Sequence, residues 1–194
     1  MKQVFSLFLI CCLFAQYSCM DDEVAASSSN CILMMDDNGN PVGTYGDCDD
    51  LSEQWGNSVL NDEECSLLDI GNPLPGADTG TVNIEKIRVF PNPISANTPL
   101  YMNVIADEDL IVTIKLVIID KAKNVLSEIR YLTPTNYSEE IIPSEFFDFY
   151  KGGEYYEIYY KIFTEGNGTA VFSGHGTILY CDVPNVANVE TDCF

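Results

Sequence analysis

Residues 155–164, YYEIYYKIFT, constrain the fold more than any other stretch of this chain. Tyr156, Ile158, Tyr160 and Ile162 fall on one side of an extended backbone, and Tyr155, Glu157, Tyr159 and Lys161 on the other. Successive side chains of a strand point to opposite faces, whereas a helix would scatter this pattern around its axis. Glu165-Gly166-Asn167-Gly168 then supplies a hairpin turn, and Thr169 to Cys181 returns as a second extended run. Upstream, Val82–Phe90, Leu100–Ala106, Leu110–Ile119, Val125–Leu132 and Tyr137–Ile142 are short β-branched or aromatic runs separated by turn residues. Seven strands in about 100 residues predict an all-β domain, an immunoglobulin-like antiparallel sandwich of about seven strands over residues 81–182, with residues 183–194 as a tail.

A small acidic, cysteine-containing segment precedes it. The formal net charge is −21, and between Cys19 and Asn83 there is no Lys or Arg; every basic residue except Lys2 lies from Lys86 onward. Such a balance argues against a nucleic-acid partner, whose affinity rests on cations neutralising phosphates, and against electrostatic docking on anionic headgroups. Within residues 31–80, Cys31 to Met35 and Pro41 to Tyr45 read as two strands around an Asn-Gly turn. Asp47 to Leu68, with Leu51, Trp55, Val59, Leu60, Leu67 and Leu68, reads as one or two short helical turns, and Gly71 to Gly80 as a Pro/Gly-rich linker. The expected pairings are local Cys48–Cys65, and Cys31–Cys181 to tie the segment to the sandwich.

Residues 1–18 have the layout of an export leader: Lys2, an apolar run from Val4 to Ala15, and small Ser18 before Cys19. The run is too short to span a membrane as a helix. Gln16-Tyr17-Ser18-Cys19 resembles a bacterial lipobox, and the Met20-Asp21-Asp22-Glu23 that follows is similar to the surface-export signal of Bacteroidota lipoproteins. The resemblance implies acylation at Cys19 and attachment to the outer membrane with the domain facing outward, and the small, polar and acidic composition of Met20 to Asn30 reads as a flexible tether over 19–30. Val89-Phe90-Pro91-Asn92-Pro93 with Leu100-Tyr101-Met102-Asn103-Val104 resembles the Pro-Asn-Pro opening of type IX secretion sorting domains, which implies a β-sandwich. Tyr159-Tyr160-Lys161 and Gly174-His175-Gly176-Thr177-Ile178 look similar to small flavobacterial-type surface lipoproteins of unknown function. Read physically, Pro91 and Pro93 fix φ, remove two backbone donors and end an edge strand.

Candidate chemistry is sparse. His175 is the only histidine and stands between two glycines, where a ligand has room to approach, but no nucleophile or metal motif accompanies it. A glycine-flanked strand kink is the plainer reading. Asp36, Asp37, Asn38 and Asn40 offer the hard oxygen donors calcium collects, without the spacing of a calcium loop, so a solvated hairpin loop is the plainer reading there too. Tyr155 and Tyr159, outward on their strand, would make an aromatic platform of the kind that binds sugars and proteins. The sequence therefore points to a non-enzymatic binding, adhesion or envelope-assembly role toward an extracellular protein or glycan, with no cofactor except calcium as a candidate. The alternative is a glycan-active or metal-dependent extracellular enzyme. No two carboxylates can be set across a cleft from sequence alone.

Overall fold

The computed structural model describes residues 31–46, 48, 54–68, 74–96, 98–142, 150–165, 170–184 and 186–194. The leader, Cys19 and the tether lie outside the described residues, as does the turn at 166–169. The chain is an all-β sandwich, and each sandwich strand anticipated from the alternating pattern forms within two residues of its expected ends. In chain order the elements are β1 (Ile32–Met35), β2 (Pro41–Tyr45), α1 (Asp62–Leu67), β3 (Ile84–Phe90), β4 (Ile94–Ser95) and β5 (Leu100–Ala106). They continue with β6 (Ile111–Ile119), β7 (Val125–Pro134), β8 (Ser138–Ile142), β9 (Glu154–Phe163), β10 (Ala170–Cys181) and α2 (Val189–Asp192).

One sheet runs β4-β10-β9-β6-β7 and the other β3-β5-β8, with β1-β2 as a separate hairpin. All pairings are antiparallel except β4 against β10. The inward rows of the two sheets meet in one core: Val112, Ile114, Leu116 and Ile118 of β6 and Tyr156, Ile158, Tyr160 and Ile162 of β9 against Ile87, Val89, Leu100, Met102 and Val104. β6 reads IVTIKLVII without polar alternation because its outer face is buried as well, with Thr113, Val117 and Ile119 fully covered.

The cover on that outer face comes from the acidic segment. Residues 54–58 run along β10 and join the two sheets: Trp55 N donates to His175 O at 3.0 Å, and Ile87 N donates to Trp55 O at 3.0 Å. Ser58 N donates to Ser173 O at 2.9 Å. Trp55 itself enters the shared core, stacked on Tyr160 with ring centroids 6.2 Å apart. Its φ of 61° lies in the left-handed region, disfavoured by roughly 1–2 kcal/mol for an L-residue, and two backbone hydrogen bonds and the packed indole hold it there. Beyond α1, the stretch read as a linker is fastened as well, through Leu74 N to Thr113 Oγ1 (2.9 Å) and Asp78 N to Ile111 O (2.7 Å).

The disulfides differ from the expected pairings. Cys31 bonds Cys48 (Cα–Cα 5.0 Å) and Cys181 bonds Cys193 (Cα–Cα 4.5 Å), so neither Cys48–Cys65 nor Cys31–Cys181 forms; Cys65 is itself disulfide-bonded. The reason is local. Pairing of Ile32 with Tyr45 returns the chain beside Cys31 three residues before Cys48, and α2 brings Cys193 back to the end of β10.

The Pro-Asn-Pro motif has a structural role. Both X-Pro bonds, Phe90–Pro91 and Asn92–Pro93, are cis. Between them Asn92 is fully buried and makes five hydrogen bonds. Its backbone exchanges two with Met35, its Nδ2 donates to Leu33 O and Thr177 O, and its Oδ1 accepts from Leu179 N. One side chain thus welds β1 to β10.

Candidate functional site

His175 and Tyr159 are direct cross-strand partners on the outer face of the five-stranded sheet, ring centroids 5.7 Å apart. The glycines beside His175 leave no opening for a ligand. A Cβ at Gly176 would overlap the Trp55 indole, and one at Gly174 would overlap Gly56 O and the Tyr160 hydroxyl, which donates to Gly56 O at 2.6 Å. The notch expected from sequence is occupied by the chain's own residues 55 and 56.

Tyr159 does not lie on an open platform either. It is 1 % exposed, packed with Leu60, Leu68, Val117 and Ile119 under α1. Its hydroxyl reaches Glu157 Oε2 at 2.7 Å and Glu64 Oε1 at 3.2 Å, and Lys123 Nζ bonds the same Glu157 oxygen at 2.7 Å while lying 5.9 Å from the Tyr159 ring centre. A phenol has one proton to donate, so the shorter bond to Glu157 takes it. Burial, reinforced by the Glu157 carboxylate, pushes the Tyr159 hydroxyl far above its ordinary value and keeps it neutral. Glu64 is buried and also closes the capping box of its helix, Oε2 accepting from Asn61 N at 2.9 Å while Glu64 N donates to Asn61 Oδ1 at 3.0 Å. Tyr159 and Lys123 are both held on Glu157, and Glu64 on its own cap, and the packing of Leu60 and Leu68 on Val117, Ile119 and Tyr159 fastens α1 to the sheet. The Asn61-x-x-Glu64 spacing is the sequence signal for the cap; the partners ninety-odd residues away have none.

The acidic loop of the first hairpin closes on itself. Asp36 Oδ1 accepts from Asn38 N (2.9 Å) and Asn40 N (2.8 Å), and Oδ2 from Asn40 Nδ2 (3.1 Å). The β6–β7 loop repeats this arrangement with two lysines in it: Asp120 Oδ1 accepts from Ala122 N and Asn124 N, both at 2.8 Å, and Oδ2 from Asn124 Nδ2 at 2.8 Å. Gly39 (φ 73°) and Lys123 (φ 64°) occupy equivalent left-handed positions. The shared geometry is that of a hairpin closure, and it accounts for Asp36, Asn38 and Asn40 without a cation; Asp37 is exposed beside them. Among the described residues, no group of three or more His, Cys, Asp or Glu side chains converges to hold a metal ion.

Tyr155 has a different setting. With Tyr45 of β2 and Phe194 it forms a cluster of three rings, Tyr45–Phe194 stacked at 6.0 Å and Tyr155–Phe194 tilted at 6.3 Å. Burial first, then the neighbouring Tyr45, raises the Tyr155 hydroxyl above its ordinary value. Phe194 is nevertheless 61 % exposed. Tyr45 and Tyr155 pack on Ile32, Leu179, Cys181 and Cys193, and the Cys181–Cys193 disulfide ties the residue before Phe194 to the end of β10. Sequence reasoning does not single out Tyr45 and Phe194, since no local pattern links residues so far apart. No known protein-family model matches the chain, and no characterised protein matches its sequence.

Proposed function

We propose that this protein is a non-enzymatic binding module of the bacterial cell envelope, tethered to the outer membrane through an acylated Cys19 and offering the Tyr45–Tyr155–Phe194 patch to an extracellular glycan or protein. One observation carries the binding half of this reading: an aromatic ring more than half exposed is held in a stack by a disulfide-pinned backbone. Rigid aromatic anchors contribute contact area at low entropic cost, and interface hot spots are enriched in them. The tether rests on the leader, the small residue before Cys19 and the acids after it. The division into a five-stranded and a three-stranded sheet, with β5 to β6, β7 to β8 and β8 to β9 crossing between them, supports an immunoglobulin-like reading of the sandwich. The enzymatic alternative loses ground because, among the described residues, the carboxylate pair on a shared hydroxyl, Glu64 and Glu157, is closed in by α1.

Two measurements test the parts separately. Mass spectrometry of the mature N-terminus from the membrane fraction should find an acylated Cys19, and Cys19→Ala should release the protein; an unmodified terminus in the soluble fraction would sink the tether. Wild-type protein and Phe194→Ala should then be compared on an array of envelope glycans and against isolated envelope proteins. Loss of the hot spot should weaken the recovered interaction about tenfold or more. An undiminished interaction would remove the aromatic patch from the binding site.

A further inference from the structure

Phe194 stacks one face of its ring on Tyr45 at an interplanar angle of 24° and leans on Tyr155 at 34°, so the three planes are nearly aligned. Tyr45 and Tyr155 are half-buried, whereas Phe194 stays open to solvent. An aromatic face carries the negative part of the ring quadrupole, and a cation within about 6 Å of it is attracted. Three segments meet at this stack. Residues 41–46 bring Tyr45, residues 182–194 bring Phe194, and residues 151–155 bring Tyr155 together with Gly153, where an added Cβ would meet Cys193 O and the Phe194 ring. They carry Glu154, Asp182, Glu190 and Asp192 against one cation, Lys151. Glu154, Asp182 and Glu190 are exposed, and Asp192 accepts from Asn188 N and Ala187 N at 2.7 Å each, bonds that favour its ionised form. The rings are thus an apolar anchor set among segments of net negative charge.

Granting the binding role proposed above for these rings, we propose that their ligand is an arginine-bearing protein segment, whose guanidinium stacks on the Phe194 ring while the carboxylates of the surrounding segments hold its charge. Arginine suits the site better than lysine, since its guanidinium is planar, weakly hydrated and stacks on aromatic faces. A neutral glycan would use the rings and gain nothing from the carboxylates, and an acidic glycan or a segment rich in Asp and Glu would be repelled by them. The formal charge of −21 draws a basic partner in from a distance, which raises its rate of encounter. The Cys181–Cys193 bond holds the residue before Phe194 to the end of β10, so little ordering of the ring remains to be done on binding. One guanidinium on one stack is the hot spot of a larger contact, not the whole of it.

The test titrates two amidated peptides into the full chain, Gly-Arg-Gly-Arg-Gly and its citrulline counterpart, which has the same shape without the charge, with the ring protons of Phe194 and Tyr45 followed by NMR. The arginine peptide should shift these signals saturably and bind at least ~fivefold tighter than the citrulline peptide. Phe194→Leu, which keeps an apolar side chain and removes the ring, should bring the arginine peptide down to the affinity of the citrulline one. Phe194→Tyr, which keeps the ring, should stay within about twofold of wild type. Equal binding of the two peptides, or arginine binding indifferent to Phe194→Leu, would overturn the proposal. The binding role of the patch fails separately. A glycan or envelope protein recovered by the wild type and lost in Phe194→Ala, with no preference for the arginine peptide, refutes the cation and leaves the patch a binding site, whereas interactions all unmoved by Phe194→Ala remove the patch and the proposal together.

Discussion

At the scale of single residues, Asn92 and the buried tyrosines carry the sharpest expectations. Asn92→Ala would leave Leu33 O, Thr177 O and Leu179 N without their partner, and each unmade buried bond costs about 1–3 kcal/mol. A loss of at least ~3 kcal/mol in denaturant unfolding is expected, more than most exposed substitutions. Tyr131, Tyr150, Tyr159 and Tyr160 all have hydroxyls pushed above the ordinary value of 10.0, chiefly by burial. The folded form thus binds these protons more tightly than the unfolded chain. Their contribution is complete below pH 10 and declines as pH rises beyond it, where unfolded tyrosines ionise and folded ones do not. A phenolate absorbance titration should show these four ionising only together with loss of the fold; early, reversible ionisation of all eleven tyrosines would contradict their burial.

Among the elements, the 54–58 strap and the two Asp-closed hairpins decide how the molecule is held together. Gly176→Ala would drive a methyl into the Trp55 ring, an overpacking that costs typically ~1–3 kcal/mol and should shift the strap outward. Trp55 is the single tryptophan, so a red shift of its emission reports that displacement directly; unchanged emission and stability would mean the indole is not seated against β10. Asp36 and Asp120 are both held below the ordinary carboxylate value of 3.8, first by hydrogen bonds from Asn40 and Asn124 respectively. A depressed folded value means the loops gain stability above the unfolded pKa and lose it as pH falls through the folded one. Carboxyl NMR should show the two titrating alike, both below the ordinary carboxylate value of 3.8, and adding calcium should leave the Asp36 loop no more perturbed than the Asp120 loop.

For the whole molecule, the segregation of charge along the chain becomes a packing statement. The described parts of the stretch ahead of Asn83 that follow the first hairpin, residues 54–68 and 74–78, pack on the sheet whose outer face sets Lys115 in register with Arg130 on one side and Lys161 on the other. The hairpin that begins this stretch is locked by Cys31–Cys48, a loop of 17 residues whose closure is worth about 3 kcal/mol in the chain-entropy account. Replacing both cysteines by serine should therefore lower stability by about that amount and leave the sandwich strands protected in hydrogen exchange. A loss confined to the hairpin's amides would fit its position outside the two sheets, whereas global exchange would show the hairpin to be integral to them.

The strands of the sandwich are legible in the sequence, because side-chain alternation and turn residues act within a few positions of one another. Pairs such as Tyr156 and Ile158 can be assigned to the core face from spacing alone, and the continuous apolar run of β6 already requires burial on both sides. What covers the outer row cannot be read in this way, since Tyr159 looks equally suited to solvent or to a helix laid across it. Residues 54–68 decide that by packing over it, and by filling the space between Gly174 and Gly176 that the sequence leaves open beside His175. The disulfides are decided by how short segments turn back: the β1–β2 hairpin brings Cys48 to Cys31, and α2 returns Cys193 to Cys181 at the end of β10. Periodicity determines which face a residue occupies, because it is set by the local backbone; what meets that face is set by contacts distant in sequence, and these exist only once the chain has closed on itself.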